Sequence, residues 1–358
     1  MTLAVVRSLR EPRGPVTDEE LADFEVDVLS EFVLARASAG LTDGSIRAEN
    51  LHLELVRNWF GRPLWGMEPR DADRYLGTML RKVSSSTRAA RARALVTYFD
   101  FLEIWYKVAL HELTGRVVEC PIDEVNRPRM SVDTQIRIPP TEAEMEQLFA
   151  GWREDLVSCR KFAPSARNYM VARLSADVGL RINESRMLDL TDVRWELGRF
   201  GKLNVRHGKG SNRKGPKQRL VPLTNGADRA LTWFIEDVWA QFDADDSLPG
   251  APLFPSERRC ASGAGSRWDT SVMRRALAAA VERHLPEWVG RMSPHVLRYY
   301  CASQLYQAGV DILAIQQLLG HSWIATTMHY VHAHGTRVED AIALGHKRAA
   351  ERWEGLIR

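Results

Sequence analysis

Apolar residues recur at helical spacing along most of the chain. From Thr17, the residues Leu21, Phe24, Val28, Phe32 and Ala35 form one stripe, Thr17 and Glu20 stand at capping-box spacing, and Gly40 supplies a stop. Further helices are predicted over about 44–59, 69–83 and 87–112, the last opened by Thr87 with Leu95, Tyr98, Phe99, Leu102 and Trp105 as its apolar stripe. Such an aromatic stripe reads as core rather than as a base-stacking platform. Pro121, Pro128, Pro139 and Pro140 then interrupt the periodicity, which predicts an extended linker over 116–140.

Helical spacing resumes at Thr141, where Thr141 and Glu144 form another capping box ahead of Met145, Leu148 and Phe149. A helix over about 166–177 stops at Gly179 and leaves Arg181 in a tight turn. Asn183 is positioned to cap the next helix, with Met187, Leu188 and Leu190 turned inward. Strand alternation is read at 203–206 and 218–223, two strands joined by a basic, glycine-bearing loop. Helices over about 226–242 and 269–284 lead into residues 291–334. In that stretch Pro294 opens a helix on which His295 and Arg298 share a face, and Leu297 and Leu305 point inward. Asp311 caps a second helix carrying Ile312, Ile315, Leu318 and Leu319, and Gly320 ends it beside His321. Ser322 caps a third, short helix through Thr326 and Thr327 to Tyr330.

The pattern is that of a mainly α protein with a small β-hairpin or sheet, and 358 residues suffice for two or three domains. No run approaches the length of a membrane span, and the N-terminus lacks the apolar core of a signal peptide, so a cytoplasmic protein is expected. Cys120, Cys159, Cys260 and Cys301 are scattered without a CxxC pair, which points to reduced thiols rather than disulfides or zinc.

A net charge of +3 says little about partners, but its distribution does. Residues 202–219 hold seven Lys or Arg and no acid, and Arg81, Lys82, Arg88, Arg91 and Arg93 form a second basic run. Residues 18–31 carry seven acids and no base, so the first helix is expected to face solvent or protein rather than phosphate.

Candidate chemistry concentrates in 291–334, where Asp311 is the sole carboxylate, so the several acidic ligands of a two-metal nuclease are missing there. Arginine forks match phosphate oxygens, histidine can donate to them, and a tyrosine can attack phosphorus to form an ester. The set describes phosphoryl transfer without a metal. Tyr330 competes as nucleophile with Tyr299, Tyr300 and Tyr306, of which the first two follow Arg298 directly and cannot share its face. His329, His332 and His334 lack Cys or carboxylate partners and read as surface histidines.

His295-x-x-Arg298, the run Leu318-Leu319-Gly320-His321-Ser322 and then Tyr330 resemble, in order and spacing, the C-terminal signature of tyrosine recombinases, the phage-integrase and Xer class. The segment Gly179-Leu180-Arg181-Ile182-Asn183-Glu184 resembles that family's first-arginine box, with Glu184 as a supporting acid. His207-Gly208-Lys209-Gly210, followed by Arg219-Leu220-Val221-Pro222-Leu223, resembles its lysine hairpin. Tyr299 departs from the pattern, standing where many members carry a second histidine.

The resemblance implies a lead-in (1–16), a helical, SAM-like core-binding domain (17–115), a linker (116–140), a mixed α/β catalytic domain (141–334) and a C-terminal helix (335–358). It implies Arg181, Lys209, His295, Arg298, His321 and Tyr330 as catalytic residues, with Tyr330 the nucleophile. Candidate DNA contacts are Arg81, Lys82, Arg88, Arg91, Arg93, Arg206, Arg213, Lys214, Lys217 and Arg219. The implied activity is site-specific recombination through a 3′-phosphotyrosyl intermediate, serving integration, excision or resolution without metal or nucleotide cofactor. The implied partners are duplex DNA with inverted half-sites, three further copies of the chain in a tetramer on two duplexes, and accessory bending or directionality proteins. A type IB topoisomerase and a catalytically silent DNA-binding protein are the alternatives. In the tail, Thr336 and Glu339 form a capping box, and Val338, Ile342, Ala349 and Trp353 fall on one face, which packs on its own domain or on a neighbouring protomer.

Overall fold

The computed structural model describes residues 17–129, 138–208, 217–258, 263 and 265–320. The chain divides into two compact units, residues 1–134 and 135–358.

The first unit is helical: α1 (Asp18–Ser38), α2 (Asp43–Phe60), α3 (Pro69–Arg74), α4 (Ser85–Trp105) and α5 (Lys107–Thr114). The Thr17–Glu20 capping box forms as the spacing predicts. Beyond α3 the chain makes one π-helical turn, Tyr75–Met79, closed by the Leu80 N–H on the Tyr75 carbonyl at 3.0 Å. Two expectations are corrected. The long helix is capped by Ser84 rather than Thr87, and it breaks at Tyr106, whose hydroxyl donates to Glu31 at 2.6 Å. Leu95, Tyr98, Phe99 and Leu102 are buried as predicted, but Trp105, next to the break, is 61% exposed. Val118 and Ile122, on either side of Pro121, join this core although the proline pattern placed them in a linker, because apolar side chains beside a proline still gain by burial. Glu25, within the acidic run expected to face outward, is buried and accepts from Arg57 Nε and the Leu64 N–H, both at 2.5 Å.

The second unit begins with α6 (Glu142–Ser158), opened by the predicted Thr141–Glu144 box, and α7 (Phe162–Asp177), which starts four residues earlier than expected. Next come α8 (Ile182–Met187), β1 (Val193–Arg194), β2 (Lys202–Gly208) and β3 (Lys217–Pro222). The hairpin gains a third strand, giving an antiparallel sheet in the order β1-β2-β3, with Leu203 opposite both Val193 and Val221. Then follow α9 (Ala227–Trp233), α10 (Thr270–His284), α11 (Pro294–Gln307) and α12 (Ile312–Leu319).

Helix α7 is the hub of this unit, packed against α6, α10 and α11, and its buried Met170, Val171 and Leu174 sit in a core that also takes Leu203, Val205 and Val221 from the sheet. Among the described residues no helix is long and apolar enough to cross a membrane. Cys120, Cys159 and Cys301 are free thiols, and burial pushes the Cys301 thiol up to about 12. Cys260 lies outside the described residues.

Candidate active site

Three segments far apart in sequence meet at one carboxylate. The first is the turn between α7 and α8. Gly179 adopts φ +72°, and a Cβ there would lie 2.5 Å from Leu319 Cδ2 and 3.2 Å from the Cys301 sulfur, so both the backbone and the packing require glycine. The turn leaves Arg181, not Asn183, at the N-cap of α8. No arginine side chain can accept a helix N–H, so the cap is one-sided: Glu184, on the first turn, accepts the Arg181 N–H at 2.9 Å. The same carboxylate pairs with Arg181 Nη1 at 2.6 Å.

The second segment is β3. Strand alternation puts Arg219 on the inward face with buried Val221, while Leu220 between them is exposed. Arg219 Nη1 and Nη2 meet the two Glu184 oxygens at 3.0 and 2.8 Å, and Nε donates to the Leu318 carbonyl at 2.8 Å.

The third is α11, capped by Ser293, with Pro294 in the first turn where its missing N–H is harmless. Arg298 is fully buried; its Nη1 lies 3.7 Å from Glu184, and its terminal nitrogens donate to the Gly179 and Leu319 carbonyls. His295 is exposed, so the two residues predicted to share a polar face differ in depth, because the Gly179 turn and the end of α12 cover the arginine. The His295 ring lies 5.1 Å from that of Tyr299.

All three arginines reach the C-terminal carbonyls of α12, whose Asp311 cap and left-handed Gly320 form as predicted. Arg181 approaches the Leu319 and Gly320 oxygens at 3.4 Å. Cations belong at that end of a helix. Burial alone would push the Glu184 carboxyl up; the Arg219 hydrogen bonds, with the charges of Arg219, Arg298 and Arg181, outweigh it and hold the group at about 2. Three guanidiniums against one carboxylate leave a surplus of two positive charges, a match for a phosphodiester that gains negative charge as it is attacked.

Of the predicted site residues the structure brings together Arg181, Glu184 and Arg298, with His295 on the same helix as Arg298. Lys209, His321 and Tyr330 lie outside the described residues, as do Arg213, Lys214, His329, His332, His334 and the predicted tail helix. Tyr300 is half-buried and lines a cleft of about 770 Å³ with Asp177 and Arg173, while Tyr299 and Tyr306 pack on Ala302, Ile315 and Leu319. Among the described residues no His, Cys, Asp and Glu group forms a metal-binding cluster.

The predicted DNA contacts divide. Arg81, Lys82, Arg93 and Lys217 are exposed, and Arg88 is partly so. Arg91 instead donates to His52 Nδ1 at 3.0 Å and to the Tyr75 hydroxyl, Arg206 pairs with Asp189 and Asp192, and Arg219 with Glu184. The carboxylate partners of Arg206 and Arg219 lie 14 to 35 residues away, beyond the reach of local pattern. The one available signal for Arg219 was its place two residues before Val221 on the inward face.

The sequence profile of the phage integrase family matches residues 141–337. A tyrosine recombinase XerD of Rhizobium meliloti (strain 1021) is 28% identical over 340 residues, covering 92% of this chain and 98% of its own length. A second XerD, from Pseudomonas aeruginosa, is 28% identical over 310 residues, covering 86% and 93%. Among solved structures, the XerH site-specific recombinase bound to a palindromic difH substrate superposes with a TM-score of 0.58 at 17% identity, covering 92% of this chain and 85% of its own. The Tn1549 transposon integrase in complex with a circular intermediate DNA does so with a TM-score of 0.59 at 18% identity, covering 86% and 94%. The fold is shared across both.

Proposed function

This chain belongs to the phage integrase family, and on that premise we propose that it is a site-specific DNA recombinase that cuts and rejoins strands through a covalent 3′-phosphotyrosyl intermediate. The observation that carries the reading is the three-arginine cluster on Glu184, a preorganised positive site built where the family profile matches. Relatives named as tyrosine recombinases, and structural neighbours solved on DNA, support duplex DNA as the partner.

In this reading Arg181, about one-fifth exposed, takes one non-bridging phosphate oxygen. Arg298 exchanges the Leu319 carbonyl for the other, since a charge-assisted bond to phosphate is stronger than one to a neutral carbonyl. His321 adds a hydrogen bond. The Tyr330 oxygen forms a bond to phosphorus and its proton passes to His295; the bond from phosphorus to the 5′-oxygen breaks, and Lys209 donates a proton to the departing oxygen. The phosphotyrosyl ester keeps the bond energy, so a 5′-hydroxyl of a second strand can reverse the step on a new partner. Residues 337–358 dock on a neighbouring protomer and link four subunits on two duplexes.

The test uses two duplexes cut from the DNA flanking the gene, each with inverted half-sites. Joined recombinant products are expected. Religation of the original strand alone would make the protein a topoisomerase, and binding without any adduct would make it a silent DNA-binding protein. Deleting residues 337–358 should preserve binding to one half-site and abolish pairing of duplexes; full recombination by the truncated chain would exclude docking in trans.

A further inference from the structure

We propose that Arg206 is a positioning residue: clamped by Asp189 and Asp192, it holds a β-bulge that sets the direction in which β2 delivers the chain to Lys209. The proposal rests on the general-acid reading of Lys209 given above.

The bulge is visible in the register. Val205 faces Arg219 and Gly208 faces Lys217, so Arg206 and His207 together oppose only Gln218. The extra residue lies at the exit of β2, where strands of close approach leave no slack: a Cβ on Gly208 would sit 2.3 Å from the Lys217 carbonyl oxygen. Bulges bend a strand and re-aim the side chains that follow, and slipping the register by one residue reverses the face of each side chain beyond it. Lys209 is the next residue.

Arg206 is well placed to prevent such slipping. Its Nε lies 2.7 and 3.0 Å from the two Asp192 oxygens, and its Nη2 lies 2.8 Å from Asp192 Oδ2 and also donates to Asp189. Both aspartates are buried and fixed independently of it. Asp192 accepts the Asp189 N–H at 2.9 Å and Asn204 Nδ2 at 3.3 Å. Asp189 also accepts from Arg267, whose Nη1 is held by the Arg186 and Leu188 carbonyls at 2.9 and 3.1 Å. Across the hairpin, Gln218 donates to Asn204 at 2.8 Å, which ties the residue opposite the bulge into the same network.

Charge separates this role from phosphate binding. Two arginines here face two aspartates, leaving no surplus, whereas the Glu184 cluster keeps an excess of two positive charges. A guanidinium neutralised in this way, with Nε and Nη2 both taken by carboxylates, is a better brace than a phosphate ligand.

The experiment compares wild type, Arg206→Gln and Lys209→Ala on suicide half-site duplexes carrying either oxygen or sulfur at the bridging 5′ position of the scissile phosphate. Sulfur leaves without a proton donor, so it corrects defects that act through the general acid alone. Arg206→Gln should slow cleavage of the oxygen substrate by about tenfold or more. It should cleave the sulfur substrate within about threefold of wild type, with half-site affinity changed by less than about twofold. If Arg206→Gln melts early, Arg206→Lys, which keeps the charge but loses the fork, supports the same comparison. A defect that persists on sulfur while Lys209→Ala is corrected would overturn the inference, as would weakened DNA binding with unimpaired cleavage of bound DNA. Failure of sulfur to correct Lys209→Ala would instead overturn the role assigned to Lys209, and the inference with it.

Discussion

Both carboxylate oxygens of Glu184 are met by Arg219, at 3.0 and 2.8 Å, and this fork joins the first turn of α8 to the inward face of β3. Through it, the placement of Arg181 depends on a strand residue 38 positions later, since Arg181 hangs on the same carboxylate. Arg219 is thus part of the cluster's frame rather than an outward hand for DNA.

Arg219→Ala would leave Glu184 short of its main partner and take the Arg219 donor from the Leu318 carbonyl, and breaking a mostly buried pair of this kind costs about 3 kcal/mol or more. Denaturant unfolding should show that loss, and strand cleavage should fall while half-site affinity changes little. Arg219→Lys should recover only a small part, because a single ammonium cannot span both oxygens.

The Glu184 carboxyl also predicts an acid limb in stability. Its folded value, about 2, lies below the value of about 4.3 for a free glutamate. The folded state therefore binds fewer protons than the unfolded one between these values, so stability is fully present above the higher value and declines as pH falls toward the lower. Unfolding free energies followed between pH 5 and pH 2 should show this decline in wild type and a flatter profile in Glu184→Gln. Parallel profiles would mean that other carboxylates carry the acid transition.

Gly179→Ala should destabilise the second unit by about 1–3 kcal/mol, since a positive φ and a 2.5 Å approach to Leu319 must both be accommodated. The Gly179 carbonyl accepts from Arg298, so the shift should also reduce cleavage more than DNA binding. Thermal melts and single-turnover cleavage on one preparation measure the two effects.

Local signals accounted for much of this architecture. The Thr17–Glu20 and Thr141–Glu144 boxes, the Asp311 cap and the Gly320 stop were legible because each is set by residues within one helical turn. The aromatic stripe on α4 was legible as core, but its break at Tyr106 was not, and the hydroxyl of that residue bonds to Glu31, 75 residues away and outside any local pattern. The same limit applied at the site. Motif order marked Arg181, Glu184 and Arg298, whereas the inward turn of Arg219 and the Asp189–Arg206–Asp192 clamp needed tertiary contacts to recruit cations that composition had assigned to DNA. Charge runs report that residues are basic, not which carboxylates will claim them.

The phosphotyrosyl mechanism stands or falls on the identity of the nucleophile. Wild type and Tyr330→Phe are incubated in excess EDTA with a nicked suicide duplex, denatured and separated on a gel, and the wild-type adduct is digested and mapped by mass spectrometry. The expected result is a covalent band in wild type, a 3′-phosphotyrosyl link on the peptide containing Tyr330, and no band in Tyr330→Phe, whose DNA affinity stays close to wild type because phosphate contacts dominate binding. A band that persists in Tyr330→Phe, or that appears only when magnesium is restored, would contradict it.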